Sequence, residues 1–280
     1  MQRHIEQIVI GMPATDGAGV ELVRMIGQPA LDMLDPFLLL DAFRSDNPDD
    51  YIAGFPAHPH RGFETVTYLL NGRMQHKDNA GHEGIIEAGG IQWMTAGRGI
   101  IHSEMPQQQD GLLEGFQLWV NLPAEHKMDA PAYQEFDASR IPCEQRDGAE
   151  VRVIAGITSQ GTRGPVVQPL TDPLYLDVSL QAGQTFEEVI EPEHNAFIYG
   201  IEGAAIMQDE AGKILNIGRD RLAILSKGDA ISLQAGEHGS RFLLISGRPL
   251  NQPIARGGPF VMNTQNEIQQ AFADYRAGHF

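Results

Sequence analysis

Cysteine and basic residues are scarce in this chain. Its 280 residues include one cysteine, Cys143, so no disulfide can form within the chain and a reducing compartment is compatible with it. We interpret Cys143 as a packed or loop residue. Lysine and arginine together number 20 against 37 acidic residues, which gives a net charge of -17. Because an acidic surface repels phosphate groups, this balance argues against nonspecific binding to nucleic acid or to an anionic membrane.

Long apolar runs are also missing. The longest lies at residues 36–40, between Asp35 and Asp41, whereas a membrane-spanning helix needs about 20 apolar residues. The first residues contain no continuous apolar stretch of the kind found in secretion signals, and Glu6 interrupts them. We therefore predict a cytoplasmic protein with no membrane partner.

Helical periodicity is almost absent before residue 264. Many short strands with regular turn signals predict a β-sandwich or β-barrel instead. The end of the chain differs, because Thr264 and Glu267 have the spacing of a capping box and apolar residues follow at helical spacing. Gly278 stands where a glycine would end this helix. The strand-like runs are residues 8–10, 20–25, 65–70, 85–88 and 118–120.

A weak internal repeat is visible. Tyr68-Leu-Leu-Asn-Gly72 returns as Tyr199-Gly-Ile-Glu-Gly203, 131 residues later, and Ala96-Gly97 returns as Ala235-Gly236, 139 residues later. The two halves therefore look like two copies of one barrel.

The repeat predicts two domains and a connection. We expect an N-terminal metal-binding domain at residues 1–125 and a C-terminal domain at residues 151–280. Residues 126–150 are rich in proline, acidic residues and glutamine, which is typical of a linker that crosses the surface.

Two short motifs carry the strongest functional signal. His58-Pro-His60 and His102-Ser-Glu104 each place two potential metal ligands two residues apart. Residues i and i+2 of a strand point to the same face, so both pairs can aim at one point. Three imidazoles and a carboxylate would there bind a divalent ion such as iron, manganese, nickel, copper or zinc. We interpret five other histidines as ordinary hydrogen-bonded residues: His4, His76, His82, His126 and His279.

The second copy lacks this set of ligands. With the offsets of the repeat, the four positions fall on Val189, Glu191, Arg241 and Leu243. We therefore predict no metal site in the C-terminal domain, although His194 and His238 lie nearby in the sequence.

Longer motifs around these residues resemble those of the pirin family of cupin proteins. They are DPFLLLD at 35–41, HPHRGFETVTY at 58–68, QWMTAGRGIIHSE at 92–104 and GPFVMNT at 258–264. The resemblance covers nearly the whole chain. It implies an all-β fold of two tandem cupin (jelly-roll) barrels with a short C-terminal α-helix.

The resemblance also implies a metal and its ligands. In the general cupin pattern a glutamate follows the His-x-His pair after three or four residues, which here is Glu64, and spacing alone does not choose between Glu64 and Glu104. The pirin pattern favours His58, His60, His102 and Glu104, with Glu64 outside the ligand set. Fe2+ is the first choice of ion, with Zn2+, Mn2+, Ni2+ and Cu2+ as alternatives.

Such a resemblance implies one fold but several functions, because proteins of one fold can have different activities. Some pirins are similar to quercetin 2,3-dioxygenases, which open a flavonol ring with O2 and release carbon monoxide. We predict this activity, with a flavonol and O2 as substrates and Glu104 as the catalytic base. Other pirins act as iron-dependent transcription co-regulators or modulate metabolic enzymes. The alternative is therefore a metal-containing regulatory protein that binds partner proteins.

Residues beside the ligand motifs suggest a pocket. Phe55, Phe63, Trp93 and Met94 would form its walls for a flat substrate, although each by itself is more typical of barrel core. Gly97-Arg-Gly99 is predicted to form a tight turn that positions His102. A monomer is expected, because the two cupin copies can pack on each other.

Overall fold

The chain folds into two compact units, each built from antiparallel strands. The structure is a computed structural model that describes residues 1–280. The first barrel, as we name it, comprises Pro13–Gly27, Phe37–Ala138 and Leu250–Phe280. The second barrel comprises Met1–Met12, Gln28–Pro36 and Ser139–Pro249. The predicted all-β fold of two barrels with a short C-terminal helix is confirmed.

The strands are short and the one α-helix comes last. In chain order they are β1 (Ile5–Ile10), β2 (Met12–Asp16), β3 (Val20–Ile26), β4 (Phe37–Ser45), β5 (Phe55–His60), β6 (Phe63–Asn71), β7 (Arg73–Asp78), β8 (Glu83–Glu87), β9 (Ile91–Thr95), β10 (Ile100–Pro106), β11 (Leu113–Asn121), β12 (Ala132–Phe136), β13 (Cys143–Arg146), β14 (Ala149–Ala155), β15 (Leu174–Leu180), β16 (Thr185–Val189), β17 (Asn195–Gln208), β18 (Ile214–Ile217), β19 (Arg221–Leu225), β20 (Ala230–Gly247), β21 (Ala255–Gly257), β22 (Phe260–Met262) and α1 (Gln265–Arg276).

Two sheets build the first barrel. The larger has the order β12-β9-β6-β11-β4-β3-β2, and the smaller has the order β5-β10-β7-β8. Strands β4 and β6 are buried along nearly their whole length, although β6 carries polar residues among its apolar ones. Leu22, Phe43 and Leu69 of the larger sheet pack with Met74 and Ile86 of the smaller one. The smaller sheet carries both ligand motifs, on β5 and β10.

The second barrel repeats this topology. Its strands have the order β1-β19-β17-β20-β15-β14-β13, with β16 paired to β20 and β18 paired to β17. Strand β17 lies between β19 and β20, as β6 lies between β9 and β11. Tyr68 and Tyr199 lie on these matching central strands, so the internal repeat is confirmed.

The ends of the chain belong to the opposite barrels from those predicted. Strand β1 pairs with β19 of the second barrel, in the way that β12 pairs with β9 of the first. The segment Leu250–Phe280 belongs to the first barrel. The predicted domains at 1–125 and 151–280 therefore describe the middle of each barrel but misplace both ends. Their local composition carries no signal of this exchange, because it depends on pairing between strands far apart in sequence.

Residues 126–150 are not a free linker. Strand β12 closes the larger sheet of the first barrel, and β13 pairs with β14 in the second. The chain passes from one unit to the other between Ala138 and Ser139. The polar composition is compatible with strands here because edge strands have one side in solvent. Cys143 is an exposed residue of β13, not a packed or loop residue.

Helix α1 begins as its sequence predicts. The Thr264 hydroxyl accepts a hydrogen bond from the backbone N–H of Glu267, and the Glu267 carboxylate accepts one from the backbone N–H of Thr264. Gly278 follows the helix in the left-handed region, at φ 73°. Ile268 packs against Phe260 in a small apolar cluster of the first barrel. The chain has no helix with the length and apolarity needed to cross a membrane.

Candidate metal centre

Three histidines converge in the first barrel. Strands β5 and β10 are antiparallel neighbours, with His102 opposite His58 and Ile100 opposite His60. One ring nitrogen from each of His58, His60 and His102 lies within 4.8 Å of the others. The ring centroids are 4.7 Å apart for His58 and His60, 4.4 Å for His58 and His102, and 5.0 Å for His60 and His102. The structure therefore brings together the three imidazoles that the motifs predicted.

Backbone carbonyls orient two of these rings. Nδ1 of His58 lies 2.7 Å from the carbonyl oxygen of Pro56, and Nδ1 of His60 lies 3.4 Å from that of Pro259. Because a carbonyl can only accept, both Nδ1 atoms carry the hydrogen and donate it. Each Nε2 atom is then an acceptor, and the two are 3.0 Å apart. This arrangement presents two lone pairs to one point, as metal-binding histidines do.

The third imidazole is buried without a partner. His102 is 1% exposed, and neither of its ring nitrogens has a hydrogen-bond partner. Buried polar atoms are nearly always hydrogen-bonded, so such a group needs an explanation. A metal ion held together with His58 and His60 would satisfy one of these nitrogens.

The environment keeps the buried imidazoles neutral. Burial, together with the neighbouring His58, lowers the pKa of His60 to about 3. Burial, with the neighbouring histidines, also holds the pKa of His102 well below its ordinary value. Neutral imidazole is the form that binds metals. The donor set therefore fits a first-row divalent ion such as iron, nickel, manganese, copper or zinc.

Glu104 lies beside this group but is held by other residues. It is buried on β10, and its carboxylate accepts hydrogen bonds from Thr67 Oγ1 at 2.5 Å and Gln117 Nε2 at 2.6 Å. It is not among the groups that lie within 4.8 Å of one another. The register between β10 and β5 shifts between His102 and Glu104, which changes the spacing at this point. Each carboxylate oxygen keeps a further lone pair, so the predicted role of Glu104 as fourth ligand stays a prediction.

Glu64 points away from the histidines. The ring of the preceding residue, Phe63, lies 4.9 Å from the ring of His60. Successive residues of a strand point to opposite faces, so Glu64 lies on the far face of β6. There it accepts a hydrogen bond from Thr95 Oγ1 at 2.6 Å. Of the two carboxylates left open by the cupin spacing, the geometry therefore favours Glu104.

A second polar group lies behind His102 and Glu104. In the pairing of β7 with β10, His76 is opposite Glu104 and Asp78 is opposite His102. His76 Nε2 and His82 Nδ1 lie 3.0 and 2.9 Å from Asp78 Oδ2. Burial raises the pKa of Asp78, but the hydrogen bonds from His76 and from the backbone N–H and the ring of His82 outweigh it and hold the pKa below its ordinary value.

This group includes two histidines that the sequence left as ordinary hydrogen-bonded residues. The ring of His76 lies 5.4 Å from that of His102 and stacks on Tyr133 at 4.5 Å. His76 and His82 do have hydrogen bonds, as predicted, but His76 also forms part of the wall behind the site. His76 and Asp78 are two residues apart on β7, so they share one face of the strand. This spacing could have predicted that they lie together near the site.

A cavity of about 630 Å3 opens beside the histidines. Its apolar walls include Leu39, Phe55 and Trp119. Its polar side chains include Gln117 and two arginines, Arg24 and Arg256. Of the four predicted wall residues, Phe55 lines the cavity. Phe63 contacts the ring of His60 but does not line the cavity. Trp93 and Met94 are buried core residues of β9. The full lining comprises Asp16, Gly17, Ala18, Arg24, Leu39, Phe55, Pro56, His58, His60, Gln117, Trp119, Arg256, Gly258 and Pro259.

Sequence reasoning missed Trp119, whose ring lies 5.1 Å from that of His60. It comes from β11, which carries no ligand and no motif. The predicted turn before His102 is present, with Gly97 at φ 51° and Gly99 at φ 143°. A side chain on Gly97 would overlap the carbonyl of Asp129, so glycine is required there.

The second barrel has other residues at the ligand positions. The matching strands β16 and β20 pair Phe186 with Leu233 and Glu188 with Ile231. Two of the counterparts assigned from the repeat, Arg241 and Leu243, are wrong, because they lie in the part of β20 that pairs with β15 and β17 and not with β16. The offset of 139 that gave them fails because Ala96-Gly97 lies in the turn before β10, whereas Ala235-Gly236 lies within β20.

The side chains of β16 and the first part of β20 form packed core and an ion pair. Phe186, Leu233 and Ala235 are buried in the apolar cluster of the second barrel. Glu188 is fully buried and accepts a hydrogen bond from Arg146 Nη2 at 2.6 Å. The same strand geometry thus carries three imidazoles in one barrel and mainly apolar side chains in the other.

The fold and the site together define a class. Two tandem β-barrels, with a His-x-His pair on one strand and a third histidine on its neighbour, are the features of a two-barrel cupin. The chain matches the family model described as Pirin at residues 19–120 and the Pirin C-terminal cupin domain at residues 175–280. It belongs to the pirin family, as its motifs predicted.

Individual relatives agree with this assignment. The chain is 50% identical over 280 residues to a pirin-like protein of Caulobacter vibrioides, which covers 99% of both chains. It is 35% identical to a crystal structure of quercetin 2,3-dioxygenase from Acinetobacter baumannii, with a TM-score of 0.89 and coverage of 100% of this chain and 99% of the other. A bacterial pirin of Escherichia coli in complex with nickel(II) shares the fold, with 19% identity, a TM-score of 0.68 and coverage of 87% and 98%.

Proposed function

We propose that this chain is a metal-dependent dioxygenase that opens the ring of a flavonol such as quercetin with O2 and releases carbon monoxide. The observation that carries the proposal is the convergence of three imidazoles beside a cavity with aromatic sides, whose wall includes His58 and His60. A flat apolar substrate fits such a cavity. The similarity to the quercetin 2,3-dioxygenase of Acinetobacter baumannii, which extends over the whole chain, supports the same reaction.

We propose His58, His60, His102 and Glu104 as the residues that hold one divalent ion, with Fe2+ as the first choice. Zn2+, Mn2+, Ni2+ and Cu2+ suit the same donors. When bound, the ion would supply Lewis-acid and redox chemistry for the flavonol and O2. All four side chains come from the first barrel of one chain, so a monomer can hold the complete site.

Glu104 is the proposed catalytic base. The 3-hydroxyl of the flavonol must lose a proton before the ring reacts with O2, and a carboxylate at the site can accept it. Thr67 and Gln117 fix both oxygens of Glu104 by hydrogen bonds, so the base is held in one orientation. Leu39, Phe55 and Trp119 would contact the rings of the substrate and exclude water.

The proposal is tested by turnover and metal content on one sample. Protein loaded anaerobically with Fe2+ should remove the visible absorption band of quercetin in air and release carbon monoxide, over many turnovers per metal ion. His102→Ala should abolish both. His238→Ala is the matched control, because it removes an exposed imidazole of the second barrel, and it should keep full activity.

A fully metallated wild-type protein without turnover of flavonols would exclude this activity. The regulatory alternative would then be examined by capture of partner proteins with the reduced and the oxidised forms. Binding of a partner that depends on oxidation state, without turnover, would favour it.

A further inference from the structure

We propose that Arg61 and the C-terminal segment 257–280 position the metal-binding histidines, so that metal affinity depends on the docking of Phe280 and α1 against the two ligand loops. The ligand loops are residues 60–63 and 96–99, which adjoin His60 and precede His102. This inference rests on the metal site of the proposed function. Arg61, Asp274 and Phe280, on which it depends, do not line the cavity.

The C-terminal segment contacts the first ligand loop through its backbone. The N–H of Val261 donates to the carbonyl of Arg61 at 3.0 Å, and the N–H of Arg61 donates to the carbonyl of Pro259 at 3.4 Å. The same Pro259 carbonyl accepts from Nδ1 of His60. The orientation of the His60 ring therefore depends directly on where residues 259–261 lie.

The side chain of Arg61 joins this segment to the second ligand loop. It is 3% exposed; its Nε donates to the carbonyl of Arg98 at 2.5 Å and its Nη1 to Asp274 of α1 at 2.7 Å. The hydrogen bond from Arg61 holds the pKa of the Asp274 carboxyl below its usual range. Because guanidinium donors have a fixed planar geometry, the two bonds fix the distance between Arg98 and α1.

Phe280 fills the space beside the second ligand loop. The Arg61 guanidinium lies over its ring at 4.4 Å, which is a cation–π distance. The ring also lies so close to Gly99 that a Cβ there would be 2.9 Å from it. Phe260 and Tyr275 support the ring at 5.4 and 5.5 Å. Movement of Phe280 would therefore release Gly99, three residues before His102.

The two ligand loops also bond to each other. The N–H of Gly62 donates to the carbonyl of Gly97 at 2.8 Å, and the N–H of Ala96 donates to that of Phe63 at 3.0 Å. A displacement of either loop is thus passed to the other. Ligand sets must be held within about 0.5 Å of their working geometry, so small displacements weaken metal binding.

Co2+ binding separates a positioning role from a catalytic one. The variants are Phe280→Ala and Asp274→Asn, and each dissociation constant is measured by competition with a chelator. We expect each to weaken Co2+ binding by about tenfold, the lower end of the range for residues that support metal ligands. The visible absorption bands of bound Co2+ should shift, because they report the geometry of its ligands. Phe280→Tyr keeps the ring and should restore wild-type affinity and spectrum.

Arg276→Gln is the matched control, since it removes an exposed charge from the same helix. It should leave Co2+ affinity unchanged. Thermal unfolding of the metal-free proteins establishes that each variant is folded. Arg61→Lys tests the arginine directly. Because Arg61 is buried and its substitution can affect folding, the conclusion depends on the less buried Phe280 and Asp274.

Wild-type Co2+ affinity and spectrum in folded Phe280→Ala and Asp274→Asn would overturn the inference. Failure of the proposed function has a different signature, in which wild-type protein binds Co2+ but its iron form does not consume flavonol. In that case the affinity series still tests positioning. A wild-type protein that binds no Co2+ would overturn both.

Discussion

His102 lies directly opposite His58 on two antiparallel strands, and their ring centroids are 4.4 Å apart. Opposite residues of such a pair share one face of the sheet, so strand register sets the distance between the two imidazoles. In the second barrel the matching strands β16 and β20 place Leu233 opposite Phe186. The two barrels thus use matching pairs of strands, and the side chains on those strands decide whether the pair forms a metal site or packed core.

His102→Leu should stabilise the metal-free protein. Both ring nitrogens of His102 are buried without a hydrogen-bond partner, which costs about 1–3 kcal/mol for such a group. Leucine removes this cost. We expect the free energy of unfolding in urea with a chelator present to rise by about 1 kcal/mol, while metal binding is lost.

His238→Leu serves as the control, because His238 is exposed and should change stability little. A metal-free His102→Leu protein less stable than wild type would mean that the imidazole makes favourable contacts of its own. The prediction would then be wrong.

Glu104→Gln and Glu64→Gln should separate the two candidate carboxylates. The first variant loses the proposed base, and we expect kcat to fall by about 100-fold or more, the usual contribution of a positioned acid or base. Glu64 lies on the far face of β6, so Glu64→Gln should leave kcat nearly unchanged in protein that remains folded. Steady-state rates and the content of folded, metallated protein are measured together. Equal losses of kcat in both variants would contradict the assignment.

The sequence predicted the histidines well because their positions follow from a simple rule. Alternation in a strand puts His58 and His60 on one face, and the glycine turn at 97–99 delivers His102 to the next strand. No such rule connects Trp119, Gln117 or Thr67 to the site, because they come from other strands of the larger sheet. The contribution of Pro259 is further removed still, since it depends on the return of the chain from the second barrel to the first.

The exchanged chain ends were unpredictable for the same reason. Strand β1 has a composition that suits either barrel, and only its pairing with β19 assigns it. Composition also misled at residues 126–150, where proline and acidic residues resemble a linker. Edge strands tolerate such residues, so the composition did not reveal that β12 and β13 are strands.

Gly62→Ala should be far more costly than Gly81→Ala. Both glycines have positive φ, at 87° and 98°, so each substitution carries a similar backbone cost of about 1–2 kcal/mol. A Cβ on Gly62 would in addition overlap the carbonyl of Val261, whereas nothing lies within 4 Å of a Cβ on Gly81. Thermal unfolding of the metal-free variants measures the difference. Similar melting temperatures would show that the segment around Val261 moves aside freely.

Lys127 should make the stability of the protein depend on pH. Its ammonium group is buried and donates to the carbonyls of Gly62 and Val261 and to the side chain of Asn121, at 2.6–2.9 Å. Burial lowers the pKa of Lys127 to about 7, and the charge of Glu267 opposes this shift. In the unfolded chain the pKa is about 10.4.

Between these two pKa values the unfolded chain holds a proton that the folded chain has released. The free energy of unfolding should therefore rise with pH from about 7 to about 10, by up to about 1.4 kcal/mol per pH unit, and should not depend on Lys127 below that range. Lys127→Met removes this group, so the pH dependence of the variant should be flatter than that of wild type by this amount. Urea unfolding across the pH range measures both slopes. Parallel slopes would mean that the three oxygen acceptors keep the lysine charged and its pKa ordinary in the folded protein.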